Sequence, residues 1–591
     1  MVYRSQMSEP KRIRAPRPPS PTPAMVVRSM VRWMLSTPRY VGWRLLDRVR
    51  GRRKTEHKAR RMRQAIESIG PMGVRVGRQL SMRIDLMPLE FSMELASMRE
   101  ERGPMPAALV ISRVEKATGK PMAEVFTDFD PAPIATSTVD CVYKARLLDG
   151  TDVAVKVRRE GIRVQILADL VALSWYMRLF EILTIARPGL FNHLRVELVE
   201  LANEELDYNN QARFQTLFRE RAARDRLDYV TAPRVHARLS NHAVMVTDRP
   251  ADGVLLSDII EAIERGDKVQ LDRWAQLKID PRKLGRRLLQ VTWWASMENL
   301  FFNAQPSDDQ ILVLPGNQLV FLDFEDCGTL SGQNKRQLRE VLASLARDNV
   351  SGAAQALVQM LSPLPFIDVY DFTKRIESGL WHELFALRDA EAGWWERTTI
   401  GLWRTVLKAA REDHVSVRLE IIRLMRSALT YDTMAVRLRP DLDLLGEFER
   451  YRVKADRRAS RRYRRDMEQR DPEDLQAASV ARWARVTEGA GRLGLWLENT
   501  AENLPVSNLA LSGKAAYAVS QGFKLATASL LMLLIGMAFD ATLTGATWTE
   551  WGTVERVVAV TLHPLYGVLV FAVASLTLRR VLFRLDDKGE G

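Results

Sequence analysis

Residues Val139 to Arg158 read VDCVYKARLLDGTDVAVKVR, and the alternation of apolar and polar side chains on either side of Asp149-Gly150 decides the fold. Period two over Val139 to Leu148 and over Thr151 to Arg158 is the pattern of a strand with one buried face. Asp-Gly between two such runs is a strong hairpin signal. The second strand contains Val153-Ala154-Val155-Lys156, a VAVK segment of the kind that sets a lysine on a kinase lobe strand to hold nucleotide phosphates. A lysine in a strand is more often a solvated edge residue, so its meaning depends on its surroundings.

Working outward, apolar residues from Thr55 to about Met122 recur at helical spacing, punctuated by Gly70-Pro71 and Met87-Pro88. Downstream, helical segments run through Phe218, and Val230 to Asp248 reads as strands. The chain is then mostly helical apart from a second hairpin, Ile311 to Leu314 with Gln318 to Leu322, around Pro315-Gly316. The expected fold is α+β, a small sheet lobe joined to a larger helical lobe. We divide the chain into a disordered basic leader (1–24), an N-terminal helical extension (25–122), a small sheet-containing lobe with a helical insert (123–250), a helical large lobe (251–450), a basic helical linker (451–520) and two transmembrane helices (521–585).

The 591 residues are 46% hydrophobic, enough for a sizeable core and more than one domain. The two cysteines, Cys141 and Cys327, are far apart and give neither a disulfide framework nor a CxxC metal site, so both read as core thiols. A net charge of +14 asks for an anionic partner or a solvated basic surface. The charge concentrates in Arg44 to Arg63 and Arg450 to Arg465, with no zinc-finger spacing, RNP-like strand or helix-turn-helix signature. Nucleic acid is therefore not expected, and each block reads as facing anionic membrane lipids or simply as solvated. The leader is too rich in proline and arginine to pack and lacks a signal-peptide pattern, which leaves the body in the cytoplasm. Two apolar stretches, Leu525 to Gly545 and Val557 to Leu578, are near spanning length and are flanked by Lys514, Lys524, Arg579, Arg580 and Arg584. They predict a transmembrane hairpin and a multi-pass protein of the cell inner membrane.

The chemistry lies in an ordered set of fragments. Pro133 to Val139 (PIATSTV) occupies the place of a phosphate-covering loop without its glycines. Glu205-Leu206-Asp207-Tyr208 sits on an expected helix, Asn303 to Ile311 (NAQPSDDQI) forms a loop before a strand, and Leu322-Asp323-Phe324-Glu325 follows an apolar strand as a metal-binding aspartate does in kinases. Earlier come Arg75-Val76-Gly77-Arg78 and Ser81-Met82-Arg83-Ile84-Asp85-Leu86-Met87-Pro88.

Together these resemble the UbiB/AarF family of atypical protein-kinase-like proteins over roughly Gly70 to Leu330. In that family a KxGQ segment, an alanine-rich loop, an ExD element and a D-P-H-P-G-N catalytic loop appear in this order. The resemblance implies a bilobal protein-kinase-like fold that uses ATP and Mg. It places nucleotide contacts at Lys156 and at Ala135, Thr136, Ser137 and Thr138 of the alanine-rich loop. It matches Glu205 and Asp207 to the ExD element, and it puts the metal on Asp323. Glu200, Glu204 and Glu205 are all candidates for the glutamate that positions Lys156.

The departures bear on mechanism. Gln305 and Gln310 stand where the family has the loop aspartate and asparagine; an amide cannot act as a carboxylate base, and it binds magnesium less well than an anionic oxygen. Asp308 and Asp309 would restore a carboxylate only if the loop refolded. Arg75 and Arg78 replace both polar residues of KxGQ. Glu325 replaces the D-F-G glycine, read as a substitution the turn tolerates, with a metal carboxylate as the alternative. The resemblance thus implies an ATP-binding protein supporting isoprenoid-quinone or other prenyl-lipid metabolism, partnered by prenyl-lipid biosynthetic enzymes, with weak or absent phosphoryl transfer. A catalytically inactive pseudokinase scaffold and an anionic-lipid-binding membrane protein are the alternatives.

Overall fold

The expected hairpin is built as β2 (Asp140–Leu147) and β3 (Asp152–Arg158), with β1 (Phe126–Thr136) before them. A later strand, β5 (Val244–Asp248), pairs with β3, closing an antiparallel sheet in the order β1-β2-β3-β5. In this computed structural model the described residues run from 21 to 586, apart from 50–54, most of 82–102, 183–206, 389–396, 469–521, 541–553 and a few single positions. Gly150 turns the hairpin at φ +85°, a left-handed conformation that side chains rarely adopt.

Period two then sorts the side chains. Cys141, Tyr143, Ala145, Val153, Val155 and Val157 are buried on one face, covered by Val110 and Val114 of helix α4 (Ala107–Thr118). Lys156, between two buried valines and paired with Val142 and Met245, projects from the opposite face.

Ahead of this lobe lie α1 (Pro23–Val49), α2 (Thr55–Glu67) and α3 (Pro71–Leu80). Helix α1 packs on α5 (Ile162–Ile182), where Arg32 meets the buried Asp169 at 2.9 Å and Trp33 packs on Tyr176. On α3, Gly77 lets Met98 approach so closely that a Cβ there would come within 2.4 Å of the sulfur.

After α6 (Tyr208–Arg224) the large lobe gathers the short strands β4 (Val230–Thr231), β6 (Val254–Leu255), β8 (Ile311–Leu314) and β9 (Gln318–Phe321) in the order β4-β9-β8-β6. The Pro315-Gly316 hairpin is thus present. Val230 to Asp248 is only partly strand, since a one-turn helix at Ala237–Leu239 separates β4 from β5. Helices α7 (Leu256–Arg265), α8 (Lys268–Gln276) and α9 (Pro281–Met297) follow, and Trp294 of α9 is fully buried. A small pair, β7 (Phe302–Asn303) with β10 (Cys327–Gly328), precedes α10 (Gly332–Ala346), α11 (Val350–Leu361), α12 (Val369–Arg388), α13 (Ile400–Glu412), α14 (Leu419–Leu438) and α15 (Leu444–Glu468). Both cysteines are buried in the core and outside any disulfide, as expected.

The second basic block is not simply a solvated face. Arg458 of α15, 8% exposed, and Arg462 both bind the buried Glu298, which also accepts the Tyr451 hydroxyl at 2.6 Å. These arginines tie α15 to the end of α9.

The transmembrane hairpin, and with it the multi-pass inner-membrane placement, is not supported: among the described residues no helix is long and apolar enough to cross a membrane. The stretch Val557 to Leu578 is split into α16 (Val554–Thr561) and α17 (Pro564–Asp586) by a break at Leu562-His563. Proline is well suited to open a helix but not to continue one. From Pro564 to Leu578, before Arg579 and Arg580, α17 rises about 22 Å, short of the roughly 30 Å of a bilayer core. Of Leu525 to Gly545, residues 528–540 are helical and 541–545 lie outside the described residues. The leader through residue 20 and most of the 451–520 linker also lie outside them.

Candidate functional site

Two strand ends face each other across the lobes. Lys156 comes from β3, and opposite it the chain leaves β9 as Asp323-Phe324-Glu325. Phe324 is buried 5.1 Å from Phe218 and 6.5 Å from Phe301 (ring centroids), and this anchor fixes the loop. Its neighbours on either side therefore both reach Lys156. The ammonium lies 3.6 Å from Asp323 Oδ1, 3.5 Å from Asp140 Oδ2, and in an ion pair with Glu325. Burial alone would depress the lysine, but these carboxylates outweigh it and hold its pKa well above the usual value. Burial pushes the Asp323 carboxyl up, against the pull of Lys156.

Helix α6 supplies the third side. Gln211 Oε1 accepts from Lys156 at 3.4 Å, and Tyr208 donates to Asp140 Oδ2 at 2.8 Å with its ring 5.5 Å from the lysine nitrogen. Among the described residues, then, α6 offers the lysine a neutral amide and an aromatic ring. Glu200, Glu204 and Glu205 lie outside the described residues. Asp207 caps α6, accepting the Asn209 N–H at 3.0 Å.

The alanine-rich loop is a tight turn. Ala135 and Thr136 end β1, paired with Val142 and Cys141. Ser137 donates its hydroxyl to Asp140 Oδ1 at 2.8 Å and accepts the N–H groups of Val139 and Asp140, while Thr138 is buried. Asp140 is therefore held from two sides, by Ser137 and by Tyr208.

Gln310 Nε2 donates to Asp323 Oδ2 at 3.0 Å, so the amide at the family's asparagine position does reach the aspartate. Its Oε1 is buried without a hydrogen-bond partner among the described residues. Gln305 is half-buried, and its N–H donates to Asn303 Oδ1 at 2.9 Å. Arg426 of α14 fixes this loop from behind by donating to the Ala304 carbonyl at 2.6 Å and pairing with Asp326. Burial lowers the Arg426 pKa against the pull of Asp326, and the Arg423 and Arg78 charges add to the lowering. Arg78 thus lies near the back of the loop, with Arg75 half-buried on the same helix. Asp308 is 3.7 Å from Arg437 and Asp309 is exposed, so neither aspartate takes the place of Gln305.

Sequence reasoning missed Asp140, Tyr208 and Gln211, and it misread Glu325, which is no passive turn substitution but a partner of Lys156. Two signals were available. Asp140 shares the Lys156 face of the sheet by strict alternation, and Tyr208 and Gln211 are three apart on one helix face.

The residues partly fit a magnesium nucleotide. Asp323 offers the anionic oxygen and the unpartnered Gln310 carbonyl a second, neutral one. No group of three His, Cys, Asp or Glu able to hold a metal occurs among the described residues.

Residues 97–357 match the ABC1 atypical kinase-like domain. The chain carries an ABC1 kinase-like domain. This is what the UbiB/AarF resemblance anticipated, and a domain of this type points to nucleotide and magnesium in general terms. An uncharacterized Synechocystis protein, sll1770, is 28% identical over 327 residues, which is 54% of this chain and 52% of that protein. The Arabidopsis thaliana chloroplastic protein named Activity of BC1 Complex Kinase 8 is 26% identical over 307 residues, 51% of this chain and 38% of the plant protein. The chain therefore spans about half or less of the length of these relatives. A solved Rv3197–erythromycin complex from Mycobacterium tuberculosis is 20% identical, with TM-score 0.42 over 61% of this chain and 87% of that one, a likeness too loose to inform a site or ligand.

Proposed function

We propose that this ABC1 protein binds a magnesium nucleotide between Lys156 and Asp323 and transfers its phosphoryl group slowly or not at all, acting chiefly as a nucleotide-responsive regulator. The observation that carries the reading is the 3.6 Å approach of the Lys156 ammonium to Asp323, the phosphate-contacting and metal-contacting groups of a kinase cleft. Retaining both charges at that spacing supports binding, and Gln305 in place of a carboxylate supports weak chemistry. When bound, the metal would neutralise charge on the phosphates. The chain's own part is to orient them with Lys156 and to set Asp323 through Gln310 and the Asn303 amide, which donates to the Asp323 carbonyl at 3.1 Å.

The family resemblance supports a role in isoprenoid-quinone or other prenyl-lipid metabolism, with enzymes of that metabolism as partners. A thermal-shift titration of the full chain with MgATP tests the nucleotide. A saturable rise in melting temperature is expected, reduced in both Lys156→Ala and Asp323→Ala. A flat response in the wild type would replace this reading with the pseudokinase scaffold, which the Lys156–Glu325 ion pair favours.

A further inference from the structure

Gln211 and Gln215 lie one turn apart on the buried face of α6, each 1% exposed, yet their amides are satisfied differently. Gln215 Nε2 donates to the Pro233 carbonyl at 2.9 Å. Gln211 Nε2 is buried and has no hydrogen-bond partner among the described residues. Turning the amide over does not cure this. Its Oε1 faces the Lys156 ammonium at 3.4 Å, and an ammonium only donates, so the oxygen belongs on the lysine's side. The helix is also held in place: Tyr208, one turn earlier, is tied to Asp140 at 2.8 Å, and Phe218 packs on Trp294, Phe321 and Phe324 with ring centroids 5.1 to 5.5 Å apart. A donor left unmet in the interior is costly, and this one stands beside the lysine that contacts phosphate.

The Asp323 side of the cleft shows the complementary case. Gln310 Nε2 is committed to the Asp323 carboxylate at 3.0 Å, and its Oε1, an acceptor, is the buried atom without a partner among the described residues. One unmet donor and one unmet acceptor match the two halves of a magnesium nucleotide, since a phosphate oxygen takes the donor and the metal takes the acceptor. Resting on the nucleotide reading above, we infer that Gln211 is a phosphate-binding residue, whose side-chain N–H donates to an oxygen of the phosphate group that Lys156 contacts. Nε2 shares its carbon with the oxygen that faces the ammonium, so a phosphate seated on the lysine comes within the amide's reach. An ionised glutamate in this position could hold the lysine but could not do the rest, because it only accepts and it repels a phosphate.

That difference in sign gives the test. MgATP affinity of the full chain is measured by calorimetric titration for wild type, Gln211→Met and Gln211→Glu, each well below its own melting temperature. Gln211→Met, which keeps the shape and adds no charge, is expected to bind about tenfold more weakly, as for the loss of one hydrogen bond to a charged group. Gln211→Glu is expected to weaken binding at least as much. Binding by Gln211→Glu as tight as wild type or tighter would show that the amide serves only to hold the lysine and would overturn the inference. Unchanged affinity in Gln211→Met would overturn it as well; if Lys156→Ala still weakens binding, only the role of Gln211 is then lost. If the wild type binds no nucleotide, the nucleotide reading falls and takes this inference with it.

Discussion

Gln211 on α6 offers Lys156 an amide oxygen at 3.4 Å, while the negative charge around the lysine comes from Asp140, Asp323 and Glu325, the last 169 residues further along the chain than the lysine. Gln211 and Glu325 should be energetically linked. Gln211→Glu alone forces a fourth carboxylate into a buried cluster and is expected to cost about 1–3 kcal/mol. In Gln211→Glu with Glu325→Gln the carboxylate only changes sides, so most of that cost should vanish. Denaturant melts of the two single variants and the double variant measure this. A coupling of at least about 1 kcal/mol is expected, and simple additivity would show that the two residues do not share the lysine.

Lys156→Met removes the cation that Asp140, Asp323 and Glu325 share and is expected to destabilise the chain by about 3–5 kcal/mol near neutral pH. The folded lysine has a raised pKa. Its stabilisation is therefore fully present below the unfolded lysine value near 10.4 and is lost only as pH rises through the still higher folded value. In the variant, protonation relieves the stranded carboxylates, so the deficit should shrink as pH falls toward about 4. A deficit that stays constant between pH 8 and 4 would mean that packing, not charge, accounts for it.

Asp432 on α14 is buried to 2% exposure, accepts the Thr399 hydroxyl and N–H, and is pushed by burial up to about 6. The folded carboxyl thus keeps its proton after the unfolded one, near 3.9, has lost it, and stability from this group falls as pH rises from about 4 to about 6. Asp432→Asn, which keeps an acceptor for Thr399, is expected to remove that slope and to gain up to roughly 3 kcal/mol above pH 6. Urea melts at several pH values provide the check, and an unchanged slope would assign the pH dependence to other groups.

Restoring the loop chemistry with Gln305→Asp and Gln310→Asn is expected to raise ATP hydrolysis by about 10²- to 10⁴-fold, the usual contribution of a positioned base. An unchanged rate in a variant that still binds nucleotide would show that the loop held by Arg426 has lost the geometry as well as the groups.

Local pattern made the sheet lobe legible. Alternation around Asp149-Gly150 placed Lys156 on an open sheet face, and the Pro315-Gly316 hairpin followed from the same reasoning. What surrounds Lys156 was hidden because its partners are brought together only by lobe packing. Glu325 reaches it only because Phe324 anchors the loop, and Gln211 only because α6 lies across the cleft. The arginines of α15 read as surface charge, yet Arg458 is buried on Glu298, a pairing no composition window can detect. Mean apolarity suggested membrane spans at the C-terminus, where the break before Pro564 and the arginine pair at Arg579-Arg580 shorten the continuous apolar helix. Hydropathy averaged across that break; backbone geometry does not.

The central claim is that nucleotide phosphates sit on Lys156 with the metal at Asp323, and a crystal structure of the full chain with magnesium and a non-hydrolysable ATP analogue tests it most directly. The account predicts density for the phosphates within hydrogen-bond distance of the Lys156 ammonium and a metal on Asp323. Nucleotide bound elsewhere, or bound in the cleft without contact to Lys156 or a metal at Asp323, would contradict it.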